Sequence, residues 1–136
     1  MGIQFPSDDW IKELMGKLNT SKGYQDAAKN WEGDFAFVVQ KGPGVPEETF
    51  LYMDLWHGEC RSAKQLANAT EQDPAFTMSA PIATWKKVLS GQLDPIRGLM
   101  GRQLTLKGNM MKVMKAPKAA LEMVKSASEI DTEWPE

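Results

Sequence analysis

Leu93–Met114 reads LDPIRGLMGRQLTLKGNMMKVM, and three structural elements follow from it. Asp94 is a good helix N-cap, and Pro95 suits the first helical position, where its missing N–H costs nothing. Ile96, Leu99 and Met100 then recur at i, i+3 and i+4, which puts them on one helical face. Gly101 is placed to end that turn. Gln103 to Lys107 alternates polar and apolar, with Leu104 and Leu106 on one side, and so reads as a half-buried strand. Gly108-Asn109 breaks the strand and caps a further helix, whose expected apolar face is Met110, Met111 and Met114. Flexible apolar side chains thus converge at a strand-to-helix corner.

Working outward, the run Leu89–Met114 (LSGQLDPIRGLMGRQLTLKGNMMKVM) resembles the sterol carrier protein type 2 domain family. The shared pattern is a leucine–glycine helix end, a leucine–aspartate–proline turn, a strand and a glycine–asparagine helix start, in that order and spacing. It covers about a quarter of the chain. The sequence departs from the pattern at Arg97 and Arg102, where smaller residues or lysine are usual, and in methionines that replace leucine or alanine. The resemblance implies a small mixed α/β domain enclosing an apolar tunnel for a lipid-like ligand.

The chain has 136 residues, so a single domain spanning 1–136 is expected. A domain of this size buries roughly 68% of its unfolded surface. Its formal net charge of −2 offers no basic excess for nucleic-acid phosphates, so no nucleic-acid partner is expected. Cys60 is the single cysteine, which excludes an internal disulfide and a cysteine-rich metal site. Met1 to Pro6 lacks the pattern of a signal peptide, and no stretch approaches the ~18 apolar residues of a membrane span. The expectation is a cytoplasmic protein without integral membrane insertion. Of the nine methionines, Met100, Met110, Met111, Met114 and Met123 lie in the last third. Methionine adapts to irregular apolar shapes, which suits either a gap-filled core or a malleable ligand wall.

Taken in order, Ser7 caps a helix with Asp8 and Asp9 in its first turn and Trp10, Ile11, Leu14, Met15 and Leu18 on its apolar face. Ser21 caps a second, short helix through Asn30, packing on Tyr24, Ala27, Ala28 and Trp31. A strand spans Asp34 to Gln40 with Phe35, Phe37 and Val39 on one side. The loop Lys41 to Pro46 cannot continue it. Thr49 to Trp56 is the next strand, with Leu51, Met53 and Leu55 on one face and Phe50, Tyr52, Asp54 and Trp56 on the other. Cys60 to Leu66 completes a three-strand meander and forms its edge. Ala75 to Ala80 returns to strand, with Phe76 and Met78 inward. Pro81 starts a helix carrying Ile82, Trp85, Val88 and Leu89, which Gly91 stops. Pro117 starts a final helix with Ala120, Leu121 and Val124 as its packing face. Ser126 to Glu136 is polar and expected to fray, with Ile130 and Trp134 as the residues able to dock back.

The fold class read from this order is α+β, a mixed sheet of about five strands with helices stacked on one face. Phe50, Tyr52 and Trp56 on the other face offer a surface for a homodimer.

Catalytic signals are sparse. His57, the single histidine, lies near Asp54, Glu59 and Cys60, but on an extended strand both Asp54 and Cys60 point away from its side. No serine elbow and no second histidine accompany it. The spacing reads as a surface histidine at a turn. Gly98 and Gly101 mark a helix end without the strand context of a dinucleotide fingerprint. The basic residues of the last third form either a solvated face or a means of holding a carboxylate, a coenzyme A group or an anionic membrane surface.

The reading that gathers most elements is a non-catalytic protein that binds and transfers a long apolar chain, such as a fatty acid or fatty acyl-CoA. No cofactor or metal is expected. Burying an apolar tail gains ~0.8 kcal/mol per CH₂, so twelve methylenes offer about 10 kcal/mol before ordering costs. The expected lining is Phe37, Met53, Leu55 and Met78 from the sheet and Trp85 and Leu89 from the helix after Pro81. To these come Ile96, Leu99, Met100, Leu104, Leu106, Met110, Met111 and Met114 from the central stretch, and Leu121 and Val124 from the final helix. The alternatives are a dimerising or accessory module of the same fold with a filled core, and an enzyme using His57 as a base.

Overall fold

The computed structural model describes residues 2–135. Along the chain run β1 (Ile3–Gln4), α1 (Asp8–Asn19), α2 (Lys22–Ala27), β2 (Phe35–Val39), β3 (Thr49–Trp56), β4 (Glu59–Leu66), β5 (Phe76–Ala80), α3 (Ile82–Leu89), α4 (Pro95–Met100), β6 (Thr105–Lys107), α5 (Met110–Met114), α6 (Pro117–Ser128) and β7 (Thr132–Glu133). The main sheet has the order β4-β3-β2-β5-β6. β2, β3 and β4 form the antiparallel meander, with β4 at the edge. β5 lies parallel to β2, and β6 antiparallel to β5. The class is therefore mixed α+β with a five-stranded mixed sheet, as the element order indicated.

Capping chemistry decides where most helices begin. The side chains of Ser7, Ser21, Asp94 and Asn109 each accept a backbone N–H in the first turn of α1, α2, α4 and α5. α2 is shorter than its apolar spacing suggested: it ends at Ala27, and the chain turns through Ala28 to reach buried Trp31. Between β3 and β4, His57 and Gly58 both have positive φ, 50° and 85°. A Cβ on Gly58 would lie 2.7 Å from the Gln25 carbonyl oxygen, so this turn packs directly against α2. Gly108 is equally constrained: its φ is 134°, and a Cβ there would meet the Ala75 carbonyl oxygen at 2.6 Å.

The register places Phe35, Phe37 and Val39 of β2 on the same face as Leu51, Met53 and Leu55 of β3 and Phe76, Met78 and Ala80 of β5. α1 packs on this face over β3 and β4. A register shift between Asp54 and Leu55 keeps Leu55 opposite Cys60 on the inward side. The other face is not left open. β4 and β5 flank β3 and β2, so the connection through residues 67–75 crosses the sheet, and its bond to Lys64, which pairs with Tyr52, puts it on that face. It is pinned at both ends: Glu71 bonds Lys64 at 3.2 Å and the Ala67 N–H, while the Ala75 N–H donates to Asp34. The Tyr52 hydroxyl donates to the same Asp34 at 2.7 Å. This corrects the expected dimer face: Tyr52 is buried, Phe50 is half-buried, and Trp56 alone of the three is exposed, with Arg61 stacked on it at 4.9 Å.

The tail corrects another expectation. Ser126 and Ala127 are buried inside α6, and Ile130 is buried beyond it. β7 pairs in parallel with β1, Ile3 opposite Thr132 and Gln4 opposite Glu133. The Trp10 indole donates to the Thr132 hydroxyl at 2.9 Å, and Phe5 packs between Trp10 and Trp134, with centroids at 4.7 and 5.0 Å. Ile130 and Trp134, the two residues of the tail able to dock, are the ones that do: Ile130 is buried and Trp134 packs on Phe5.

Candidate functional site

Between the inward sheet face and the helices lies a cavity of about 110 Å³. Its floor is Phe35, Phe37, Leu51, Leu55 and Met78 of the sheet, with Trp31 before it. α1 supplies Trp10, Ile11 and Leu14, and α3 supplies Trp85, Val88 and Leu89. Phe5, Tyr24 and Pro95 close its ends. The roof is Val113 of α5, Ala116, and Ala119, Ala120, Met123, Val124 and Ala127 of α6.

Among the described residues no charged side chain lines this space. Each of the three lining indoles spends its N–H on the protein: Trp10 on Thr132, Trp31 on the Gly33 carbonyl at 2.9 Å, and Trp85 on the Val38 carbonyl at 2.9 Å. They therefore present only apolar ring faces to the cavity. Tyr24 lines the cavity too, and burial, with the Cys60 charge second, holds its phenol well above the ordinary tyrosine range, hence neutral. Below the cavity, Trp31, Phe35 and Phe76 stack with centroids 5.0 to 5.9 Å apart, and Phe37 lies parallel to Phe35 at 5.2 Å. The ammonium of Lys112 caps this aromatic group, 5.1 Å from the Trp31 ring and 5.8 Å from Phe76, and donates to the Glu32 carbonyl.

Of the residues expected to form the lining, Phe37, Leu55, Met78, Trp85, Leu89 and Val124 are brought together around the cavity. Met53 faces inward but is packed beneath the floor with no exposure. Leu99 and Leu104 are buried under α4, where Leu104 fills the space beside Gly98, while Ile96, Leu106 and Met114 are half-buried outside the lining. Met100, Met110, Met111 and Leu121 point to solvent. Two helix faces are thus corrected. α5 is short and turns Val113 inward, with Lys112 beside it reaching across to Trp31. α6 presents its alanines, Met123 and Val124 to the cavity and leaves Leu121 outside, because small side chains permit close approach to α1, α2 and α3. The lining residues of α1, namely Trp10, Ile11 and Leu14, carried a clear helical periodicity. That pattern marks a buried face without saying that a void lies against it.

His57 does not approach the cavity. Its Nε2 lies 2.6 Å from Glu32 Oε2, with both side chains about half exposed. Asp54 is engaged by Arg61 at 3.0 Å, and buried Cys60 contacts the Ser62 carbonyl at 3.4 Å. Burial, with the Asp54 charge second, pushes the Cys60 thiol up to about 12, which removes it as a nucleophile. Among the described residues no cluster of three or more His, Cys, Asp or Glu side chains is placed to hold a metal, and no helix is long and apolar enough to cross a membrane.

A model of the SCP-2 sterol transfer family matches residues 11–120. The fold is similar to a crystal structure of sterol carrier protein 2, with a TM-score of 0.82 and 38% identity over 91% of this chain and 97% of that one. It is also similar to a conserved hypothetical protein of Thermus thermophilus described as a candidate sterol carrier protein. There the TM-score is 0.84 and the identity 37%, over 97% of this chain and 93% of that one. Apo sterol carrier protein 2 from Yarrowia lipolytica shares the fold at 19% identity and a TM-score of 0.58, over 87% and 88% of the two chains. No curated protein sequence matches. The matched region runs from α1 into α6 and so takes in the sheet and most of the cavity wall, and on that ground the chain belongs to the SCP-2 sterol transfer family.

Proposed function

We propose that this protein is a non-catalytic carrier that takes one long apolar chain into the cavity beneath α5 and α6 and passes it on. The observation that carries the reading is the lining: aromatic rings with their N–H groups already bonded, aliphatic side chains and alanines, and no charge. Such a surface rewards burial of methylenes and penalises an ionised head group, so a carboxylate or phosphate end stays at the rim in water. Fatty acids and fatty acyl-CoA fit that division.

The void of about 110 Å³ is below the ~300 Å³ at the lower end of ligand pockets, so uptake requires the walls to part. The roof is the part able to do so. α5 has five residues, and α6 begins at Pro117 after Ala116, which offers no side-chain cap, whereas the floor is tied by strand hydrogen bonds. The same small void favours a second reading, an accessory module whose core is filled.

Mass spectrometry of the purified chain under native conditions, followed by organic extraction, separates the two. A stoichiometric lipid released by extraction supports the carrier. Failure of added fatty acids, fatty acyl-CoA and sterols to bind, combined with concentration-dependent mass, overturns it in favour of the accessory module.

A further inference from the structure

Lys112 stands where the roof of the cavity meets its floor. The next residue, Val113, lines the cavity from α5, and Trp31, whose ring the Lys112 ammonium covers at 5.1 Å, lines it from below. Two other cations lie over aromatic rings among the described residues, Arg61 over Trp56 and Lys86 over Trp134. Neither of those rings faces the cavity.

The local sequence fixes the backbone of Lys112 and leaves its side chain free to turn. A Cβ on Gly108 would lie 2.9 Å from the Phe76 ring, so the corner leading into α5 presses on that ring. Asn109 then caps the helix by accepting the Lys112 N–H at 3.2 Å. From this anchor the flexible four-carbon stem carries the ammonium over Trp31 and Phe76 to the Glu32 carbonyl oxygen.

None of these partners bears a charge. The Glu32 carboxylate is turned to His57 at 2.6 Å, and among the described residues no carboxylate pairs with Lys112. A lysine that only solvates a surface keeps its ammonium in water, as exposed Lys115 does on the same helix end. Lys112 is instead half-buried and folded over the rim of a cavity whose own lining is uncharged. Ring faces and a neutral carbonyl hold an ammonium less firmly than a carboxylate does. An ionised head group arriving at the rim is therefore the stronger partner.

We propose that Lys112 is the head-group residue of this carrier, binding the ionised carboxylate of a fatty acid whose chain lies in the cavity. The ammonium exchanges the Glu32 carbonyl for the carboxylate, and that carbonyl, on an exposed residue, returns to water. The exchange also unties α5 from the floor, so an anionic chain loosens the roof as it enters. The inference rests on the carrier reading and adds a preference for acids over neutral chains of the same length.

Calorimetric titration of the full chain with dodecanoate and with dodecanol tests it, at pH 8, where the acid is ionised. The readout is the ratio of the two affinities, because a substitution that merely loosened the roof would move both ligands together. Lys112→Met is expected to lower the acid-to-alcohol ratio about tenfold, the size of one hydrogen bond to a charged group. Lys112→Arg keeps the preference, and Lys115→Met leaves it unchanged. Should Lys112→Met not fold, Lys112→Gln, which retains a donor for the Glu32 carbonyl without the charge, is expected to lower the ratio in the same way. Binding of both ligands with a ratio unmoved by loss of the Lys112 charge would overturn the assignment and leave the carrier standing. So would an equal fall in Lys115→Met, which would trace the preference to diffuse charge. Failure of both ligands to bind the wild type would overturn the carrier reading, and the assignment with it.

Discussion

The floor and the roof of the cavity are built from opposite materials. The floor is aromatic and cross-tied: Trp31, Phe35, Phe37 and Phe76 stack on one another, and the strands beneath them are hydrogen-bonded on both sides. The roof is four alanines with Val113, Met123 and Val124, on a five-residue helix and a helix without a side-chain cap. Large interlocked rings lose many contacts if they move, so the floor keeps its shape. Alanines give up little on separation, and their small volume is what leaves the void. A space that must open is best made from one wall that resists and one that yields.

Breaking the floor has the largest expected effect. Phe76→Ala removes a fully packed ring that touches Trp31 and Phe35 and is expected to cost about 3–5 kcal/mol, read from the urea midpoint. Cys60, also on the sheet side, reports the same rigidity chemically. With its thiol raised from 9.0 to about 12, alkylation by iodoacetamide at pH 8 should be about 10³-fold slower in the folded than in the unfolded chain. The linked sign follows: the unfolded thiol ionises first, so stability contributed by protonated Cys60 is complete below pH 9 and falls as pH rises from there toward 12. A labelling rate equal to that of the unfolded chain would show that β4 opens readily.

The roof should respond in function before stability. Ala120→Phe fills the void from above and is expected to weaken fluorescent fatty-acid binding at least tenfold, about 1.4 kcal/mol, with a thermal midpoint close to the wild type. Unchanged affinity would place the chain elsewhere. Met111→Trp is the smallest expected change. Since Met111 is exposed outside the lining, uptake and stability should stay within about 0.5 kcal/mol of wild type.

Much of this architecture was legible in residue order. The caps at Ser7, Ser21, Asp94 and Asn109, the strand alternation from Phe35 to Leu55 and the Gly108-Asn109 corner each act locally, and local rules read them. The site was legible on the floor and on α3, where Phe37, Leu55, Met78, Trp85 and Leu89 were expected and do line the cavity. On the roof only Val124 was legible. Methionine and leucine draw the eye as ligand contacts, yet Met110, Met111 and Leu121 face solvent while alanines do the lining.

What the sequence by itself determined is the succession of helices and strands from α1 to α6 and the sidedness of the main-sheet strands, because capping, turn chemistry and a two-residue alternation depend on near neighbours. Only the tertiary structure decided the rotation of α5 and α6 about their axes, the burial of Tyr52 under the returning connection, and the docking of the tail through Ile130 and Trp134. Each of those depends on a partner far away in the chain: Lys112 on Trp31, Tyr52 on Asp34, Thr132 on Trp10. A short helix with several apolar residues has more than one face it can bury, and the partner across the gap selects which one it does.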